Sequence, residues 1–255
     1  MGMILLEVKN LTKQFGGLLA VNQLDFSINQ GEIIGLIGPN GAGKTTVFNM
    51  ITGTFRPTRG EVIFMGEEVG RLKPNRIAQL GVVRSFQLTN LFGEMTVIQN
   101  VILGSHQKSG VGLWGSLWNT KSTRRKEIES EREAIRTLEF MGLAEHQKML
   151  AKNLTHGQQR RLEVAVVLAA RPEVLLLDEP LQGMNHEEVR DMLNRIAEIR
   201  REGKTILLVE HNMRAVTSIC DRVIVLNFGQ KIDEGSPQKV MQNPEVIEAY
   251  LGVEE

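Results

Sequence analysis

The sequence predicts an α/β fold with a mainly parallel sheet, an antiparallel β-subdomain at the N-terminus and an inserted α-helical subdomain. Two short apolar runs, residues 33–37 and 174–177, are typical of parallel strands that are covered on both faces. Residues 91–158 instead carry apolar side chains at helical spacing. We therefore expect one domain, in which residues 1–90 and 159–255 form the α/β core and residues 91–158 form the helical insertion.

The composition excludes several classes of protein. Lys and Arg together number 30, as do Asp and Glu, so no net charge attracts nucleic acid. The single cysteine, Cys220, cannot form an intramolecular disulfide, and we expect a buried thiol. Residues 1–9 lack the pattern of a secretory signal, and no apolar run is long enough to span a membrane. These features predict a soluble cytoplasmic protein that reaches a membrane only through partners.

The N-terminal region predicts two strands, over residues 5–8 and 24–28, with the alternation of an antiparallel pair. Phe15 lies between them and is followed by two glycines. Periodicity alone leaves two interpretations of Phe15 open. It is either an ordinary core aromatic or, upstream of a phosphate site, a flat surface on which a nucleobase stacks.

The central motif is a glycine-rich loop between an apolar strand and a helix-compatible run. Glycines let the backbone approach a polyphosphate and turn its N–H groups inward, and the helix that follows adds its positive end. Lys44 would place its charge on the β- and γ-phosphates, and Thr45 would coordinate Mg²⁺. The alternative is a flexible turn that happens to contain a lysine. The predicted nucleotide-binding residues are Phe15, Gly38, Pro39, Asn40, Gly41, Ala42, Gly43, Lys44, Thr45 and Thr46.

The chain between the loop helix and the helical insertion predicts short elements. Residues 60–64 predict a strand, residues 73–78 a short helix or turn, and residues 82–86 a further apolar strand that ends at Gln87. A glutamine at the end of a strand is by itself compatible with a solvated cap.

Helical spacing within the insertion is clearest over residues 95–103 and 132–141, and the mixed charges of residues 121–136 predict a solvated helix face. The glycine-rich stretch between these helices contains both tryptophans, Trp114 and Trp118. They predict either a contact surface or rings that fold back on the neighbouring helices.

The insertion ends in a pentapeptide that leads into a helix over residues 159–170. Thr155 and Gln158 fit a capping box, which needs no ligand. A helix N-terminus with a hydroxyl and a glycine is equally suited to an anion. The pentapeptide consists of Leu154, Thr155, His156, Gly157 and Gln158.

Two carboxylates, Asp178 and Glu179, follow the apolar run 174–177 at the edge of the sheet where ligands bind in α/β folds. Near a phosphate loop, Asp178 would hold Mg²⁺ and Glu179 would polarise the attacking water. The alternative is an Asp-Glu pair that caps the strand in solvent.

The C-terminal region predicts a helix over residues 187–202, a strand over 205–209, a hairpin over 222–234 and a closing helical segment over 237–250. His211 follows the strand 205–209. Because polar groups recur at the ends of the predicted strands, we favour a functional role for this histidine.

Taken in order, these motifs resemble those of the ATP-binding subunits of ABC transporters, over nearly the whole chain. The glycine-rich loop is similar to the family's first nucleotide motif, residues 154–158 to its signature motif and residues 174–179 to its second nucleotide motif. Gln87 resembles the Q-loop glutamine and His211 the switch histidine.

The resemblance implies a P-loop NTPase (RecA-like) core, ATP as substrate and Mg²⁺ as cofactor. It implies that Phe15 stacks on adenine. The implied catalytic residues are Glu179, His211 and Gln87, and the implied metal ligands are Thr45, Gln87 and Asp178.

Several segments are most similar to the larger ATP-binding subunit of high-affinity branched-chain amino acid transporters, although importers of urea or short amides share them. These segments are residues 15–21, 83–87, 158–163 and 248–252. The chain departs from the general family at Thr155 and His156, where Ser and Gly are usual, and at Asn185, where Asp is usual. Thr155 keeps the hydroxyl, whereas His156 places a bulkier group near the nucleotide.

In this family two ATPase subunits pair head to tail, so that the signature motif of one covers the ATP of the other. The resemblance therefore implies a second ATPase subunit, identical or homologous, membrane permease subunits against the helical insertion, and a solute-binding protein that acts indirectly. It implies a location on the inner face of the cell membrane. The alternatives are a lipid exporter of the same fold and a soluble ABC ATPase acting on ribosomes or DNA, which generally carries two nucleotide domains or long coiled-coil arms.

Overall fold

The structure is a computed structural model that describes residues 2–85, 91–109 and 121–251. The chain divides into two compact units, which we call the first unit (Met1–Ile77 and Ile196–Glu255) and the second unit (Ala78–Arg195). The predicted boundaries of the helical insertion, residues 91–158, stay a prediction.

The elements of the described residues run in the following order: β1 Ile4–Phe15, β2 Leu18–Asn29, β3 Ile33–Ile37, α1 Lys44–Ile51, β4 Arg59–Phe64, β5 Glu67–Glu68, α2 Pro74–Leu80, β6 Val82–Arg84, α3 Val97–Ser109, α4 Lys121–Phe140, α5 His156–Ala169, β7 Val174–Asp178, α6 His186–Arg201, β8 Thr205–Val209, α7 Met213–Ile219, β9 Arg222–Asn227, β10 Gln230–Gly235, α8 Pro237–Val240 and α9 Pro244–Leu251.

The first unit contains an antiparallel sheet in the order β2, β1, β4, β5. The predicted antiparallel pair is confirmed, since β1 pairs with β2 from Ile4 opposite Asn29 to Phe15 opposite Leu18. Both strands are longer than predicted. The ladder shifts register after Val8 and again after Leu11, and these irregularities interrupt the two-residue alternation on which the sequence prediction depended.

Parallel pairing in the first unit places β3 between β8 and β9, with Ile33 opposite Ile206 and Ile34 opposite Arg222. Every residue of β3 and β8 is buried, which confirms the prediction of covered parallel strands. β9 and β10 form the predicted hairpin. The glycine-rich loop thus begins at the carboxyl end of a buried strand.

Two features of the C-terminal region differ from the prediction. The helix α7 was not predicted, because seven residues are too few to show a periodic face; the side chain of Asn212 caps it by accepting a hydrogen bond from the Ala215 N–H at 3.1 Å. The closing segment is two short helices, α8 and α9, rather than one.

Cys220 is buried as predicted, and burial, reinforced by Asp221 and Glu210, raises the pKa of its thiol to about 12.

The second unit contains the parallel pair β6 and β7, with Val82 opposite Val174, and the helices α3, α4 and α5 packed against one another. β7 is buried throughout. The predicted helices are confirmed by the burial of their apolar faces, including Val101, Ala134 and Leu138. Across the described ranges, the structure has no helix of the length and apolar character needed to cross a bilayer.

Candidate active site

The glycine-rich loop connects β3 to α1 and encloses the side chain of Lys44. The Lys44 ammonium donates hydrogen bonds to the carbonyl oxygens of Gly38 and Pro39, at 2.7 and 2.9 Å. Its side chain is buried, and a buried charge needs such partners. Because an anionic oxygen is a stronger acceptor than a carbonyl oxygen, this ammonium is suited to replace its carbonyl acceptors with the oxygens of a bound phosphate.

Two glycines of the loop have no room for a side chain. A Cβ on Gly38 would lie 2.1 Å from the carbonyl oxygen of Leu226 in β9, and a Cβ on Gly43 would lie 2.6 Å from that of Ala20 in β2. Their φ angles are +148° and +104°, which a residue with a Cβ rarely adopts. The neighbouring strands therefore fix the shape of the loop before any ligand binds.

The N-terminus of α1 faces the loop without a local negative charge. Gly43 is the N-cap residue, and the first turn contains no acidic side chain. The first N–H groups of a helix have no acceptor within the helix and carry the positive end of its dipole, so they fit a phosphate. Thr45 is exposed and Thr46 half-buried, so the Thr45 hydroxyl is accessible to a cation that accompanies a polyphosphate.

Phe15 lies at the end of β1 and is 40% exposed, so it is not an ordinary core aromatic. Its ring contacts that of Phe55 edge to face, with centroids 5.3 Å apart and an interplanar angle of 77°. The Lys13 ammonium lies 4.9 Å from the centroid of Phe15 and donates a hydrogen bond to the carbonyl oxygen of Arg56 at 2.8 Å. The ring is therefore held from within the first unit while part of its surface is accessible to a base.

In the second unit, Asp178 ends β7 with a carboxylate that is buried and paired. Nη2 of Arg84 donates a hydrogen bond to Oδ2 of Asp178 at 2.5 Å, and the Asp178 N–H donates to the Ser85 hydroxyl oxygen at 3.1 Å. The carboxylate therefore does not cap the strand in solvent. Arg84 was not predicted as part of the site, although a charged residue at the end of the apolar run Val82–Arg84 was a signal.

Glu179 follows at the start of a turn and has a φ of +49°, in the left-handed region that side chains with a Cβ disfavour. The N–H of Gln182 donates a hydrogen bond to the Glu179 carbonyl oxygen at 3.2 Å, which closes the turn. The Glu179 side chain is half-buried. Unusual backbone at a carboxylate is a feature of functional sites.

The predicted capping box is confirmed at the N-terminus of α5. Thr155 Oγ1 accepts a hydrogen bond from the Gln158 N–H at 3.3 Å, and Gln158 Oε1 accepts one from the Thr155 N–H at 3.0 Å. Leu154 is buried, whereas His156 is exposed. The capping box and an anion site are compatible, because the box leaves other N–H groups of the first turn available.

Asn185, the other departure from the family pattern, is the N-cap of α6. Its Oδ1 accepts hydrogen bonds from the N–H groups of Glu187 and Glu188, each at 3.0 Å. An aspartate would accept the same bonds, so the helix start is preserved.

His211 follows β8 in the first unit and is exposed, and its N–H donates a hydrogen bond to Oε2 of the buried Glu210 at 3.2 Å. Gln87, Trp114 and Trp118 lie outside the described residues. Tyr250 of α9 was not predicted as a site residue either; burial raises the pKa of its hydroxyl to about 12, an effect that a hydrogen bond with the backbone of Gly38 partly offsets.

The comparisons with known proteins agree on one family. Residues 21–182 match the family described as ABC transporter, and residues 230–255 match the family described as branched-chain amino acid ATP-binding cassette transporter. The chain is 46% identical, over 249 residues, to the high-affinity branched-chain amino acid transport ATP-binding protein LivG of Escherichia coli (strain K12), covering 97% of this chain and 98% of that protein. It is 44% identical, with the same coverage, to the corresponding protein BraF of Pseudomonas aeruginosa.

Solved structures give the same result for the fold. The crystal structure of a nucleotide-free ATP-binding cassette from an ABC transporter has a TM-score of 0.86 at 32% identity, and the match covers 97% of this chain and 99% of that one. The ADP conformation of MJ1267, an ATP-binding cassette of an ABC transporter, has a TM-score of 0.86 at 31% identity, with coverage of 98% and 99%.

Proposed function

This chain belongs to the ATP-binding proteins of ABC transporters, and we propose that it powers the import of branched-chain amino acids. As predicted, it is an ATP-hydrolysing subunit with a P-loop α/β fold. The observation that carries the proposed substrate is identity of 46% over nearly the full length of LivG, together with the C-terminal match over residues 230–255. Selectivity for the solute would lie in other chains of the transporter.

The geometry of the first unit supports the proposed nucleotide contacts. Lys44 would exchange its two carbonyl partners for β- and γ-phosphate oxygens, while the N–H groups from Gly41 to Thr46 would bind the phosphates. The exposed part of the Phe15 ring would stack on adenine. His211, exposed beyond the end of β8, would contact the γ-phosphate.

Mg²⁺ bound with ATP would neutralise the phosphate oxygens. Among the described residues, no three or more His, Cys, Asp or Glu side chains are grouped so as to hold a metal ion, so we propose that the cation arrives with the nucleotide. Thr45, Gln87 and Asp178 would supply protein oxygens. The Asp178 carboxylate would then contact both Mg²⁺ and the Arg84 guanidinium. Glu179 would orient the attacking water.

The chain contains one glycine-rich loop and one signature pentapeptide, and we propose that its ATP site is completed by a second ATPase subunit. The α5 N-terminus, with Thr155 and Gly157, would contribute to the nucleotide of that subunit. Hydrolysis would remove the shared γ-phosphate and release the pair.

An exposed apolar surface in the second unit supports docking to a permease. Phe92, Met95 and Met149 are all exposed. The two segments that present them are joined by backbone hydrogen bonds, from Val97 N–H to Met149 O and from Ala151 N–H to Met95 O, both 2.9 Å. Exposed apolar side chains on a rigid support are typical of interaction sites, and we propose that this surface holds the subunit at the inner face of the membrane.

The test is reconstitution of the chain with its permease subunits in lipid vesicles and measurement of ATP hydrolysis in the presence of a solute-binding protein. We expect leucine-loaded binding protein to stimulate hydrolysis, and Glu179→Gln to abolish turnover while ATP binding is retained. Glu187→Gln, which makes the same chemical change at an exposed position of the first turn of α6, is the matched control.

Stimulation by a urea- or amide-loaded binding protein, and not by the leucine-loaded one, would show that the solute class is wrong and leave the ATPase assignment intact. Full turnover by the Glu179→Gln variant would show that this carboxylate is not the group that orients water.

A further inference from the structure

The turn that carries Glu179 is held in an unfavourable conformation. The φ of Glu179 is +49°, and the Gln182 N–H donates a backbone hydrogen bond across the turn to the Glu179 carbonyl oxygen, at 3.2 Å. A left-handed conformation of a residue with a Cβ persists only where the surrounding structure holds it. The contacts made by Gln182 therefore bear directly on the position of the Glu179 carboxylate.

A buried arginine of α5 binds the far end of this turn. Nη2 of Arg160 donates a hydrogen bond to Oε1 of Gln182 at 2.6 Å, and its Nη1 donates to Oε2 of Glu163 at 3.0 Å. Arg160 is only 2% exposed, although Gln182 is on the surface. A charged donor gives one of the stronger protein hydrogen bonds.

The first turn of α5 contacts the same segment at two further points. A Cβ on Gly183 would lie 2.6 Å from Cε1 of His156, and a Cβ on Gly157 would lie 2.4 Å from Oε1 of Glu188. Both contacts involve the ends of side chains, those of His156 and Glu188, so they show that α5 lies directly against the segment from Gln182 to Glu188. Together with the hydrogen bond from Arg160, this packing within the second unit is the path by which a displacement of α5 would reach the turn.

We propose that Arg160 is a positioning residue for Glu179, acting through Gln182. The proposal rests on the function proposed above, in which Glu179 orients water and the N-terminus of α5 contacts the nucleotide of the other ATPase subunit. On this proposal α5 has two roles: its N-terminus contacts the nucleotide of the other ATPase subunit, and its Arg160 holds the turn that carries Glu179 of the same chain. The Glu179 carboxylate of each subunit would therefore reach its hydrolytic position only when α5 of that subunit is in contact with the other subunit's nucleotide.

The test uses Gln182→Ala in the reconstituted transporter, because this exposed side chain can be removed without opening the core. We expect kcat to fall by between about tenfold and about a hundredfold, because a misplacement of about 1 Å can cost about a hundredfold, while KM for ATP and the melting temperature stay close to wild type. Gln182→Glu restores an acceptor oxygen for Arg160 and should recover most of kcat. Arg161→Met is the matched control, since Arg161 lies on the same helix but pairs with Asp191, at 3.4 Å.

Glu179→Gln, assayed in parallel, separates the two proposals. An inactive Glu179→Gln variant beside a Gln182→Ala variant with full kcat would overturn the positioning role alone. Full activity of the Glu179→Gln variant would overturn the function assigned to Glu179, and the positioning role with it. A Gln182→Ala variant that loses melting temperature but keeps kcat per folded molecule, or equal losses of kcat in the Gln182→Ala and Arg161→Met variants, would show that the contact only stabilises the fold.

Discussion

We expect the ionisation of Glu163 to make the stability of this protein depend on pH. Glu163 is 5% exposed on α5, and burial raises the pKa of its carboxyl from 4.5 to about 7 despite the opposing attraction of Arg160. At about 1.4 kcal/mol for each pH unit, the ionised form is about 3 kcal/mol less favourable in the folded chain than in the unfolded chain. Glu163→Gln keeps the size of the side chain and removes the ionisation.

The sign follows from proton linkage. Well below pH 4.5 Glu163 is protonated in both states and does not affect stability. As the pH rises from 4.5 to about 7, the unfolded chain releases the proton while the folded chain keeps it, and stability is lost. Between pH 5 and pH 8 the wild-type chain should lose about 2 to 3 kcal/mol relative to the Glu163→Gln variant, with little further change above pH 8.

The measurement is the free energy of unfolding in urea, followed by circular dichroism at pH 5, 6, 7 and 8, for both chains without nucleotide. Glu139→Gln, at an exposed position of α4, controls for the chemical change itself. A difference between wild type and Glu163→Gln that does not vary with pH would refute the reasoning. So would a variant that is less stable at pH 8, because Arg160 would then need the ionised carboxylate.

Three further substitutions test local features of the first unit. Phe228 has a φ of +44° and is 86% exposed, so Phe228→Asn should raise the free energy of unfolding by about 1 kcal/mol; a decrease would show that the ring makes a stabilising contact. Gly38→Ala places a Cβ 2.1 Å from the Leu226 carbonyl oxygen, so calorimetry should show at least about tenfold weaker ADP binding, whereas wild-type affinity would contradict the rigid loop. Phe15→Ala should weaken ADP and GDP alike by about tenfold, because stacking is tolerant of the base, and Phe15→Tyr should retain both; an unchanged affinity of Phe15→Ala would exclude stacking.

The glycine-rich loop was predictable because its requirements are local. A buried strand, glycines that permit close approach, a lysine and a helix follow one another within a few residues, and the structure places Lys44 inside that loop. The capping box of Thr155 and Gln158 was predictable for the same reason, since both residues belong to one turn.

The extent of β1 was not predictable from alternation. Register shifts along its ladder with β2 move side chains from one face to the other without ending the strand, so the pattern stopped at residue 8 while backbone pairing continued to Phe15. A strand is defined by its partner, and the sequence of one strand does not show where the partner shifts.

The sequence by itself determined the family, the α/β class and the order of the nucleotide motifs, because each motif is a short run whose geometry depends on neighbouring residues. Only the tertiary structure paired Arg84 with Asp178, 94 residues away, and Arg160 with Gln182, 22 residues away. Asp178 and Glu179 were recognisable from their strand, whereas the arginines that bind Asp178 and Gln182 were not. Pairing across the fold depends on which helix or strand is packed alongside, and that is decided when the core assembles.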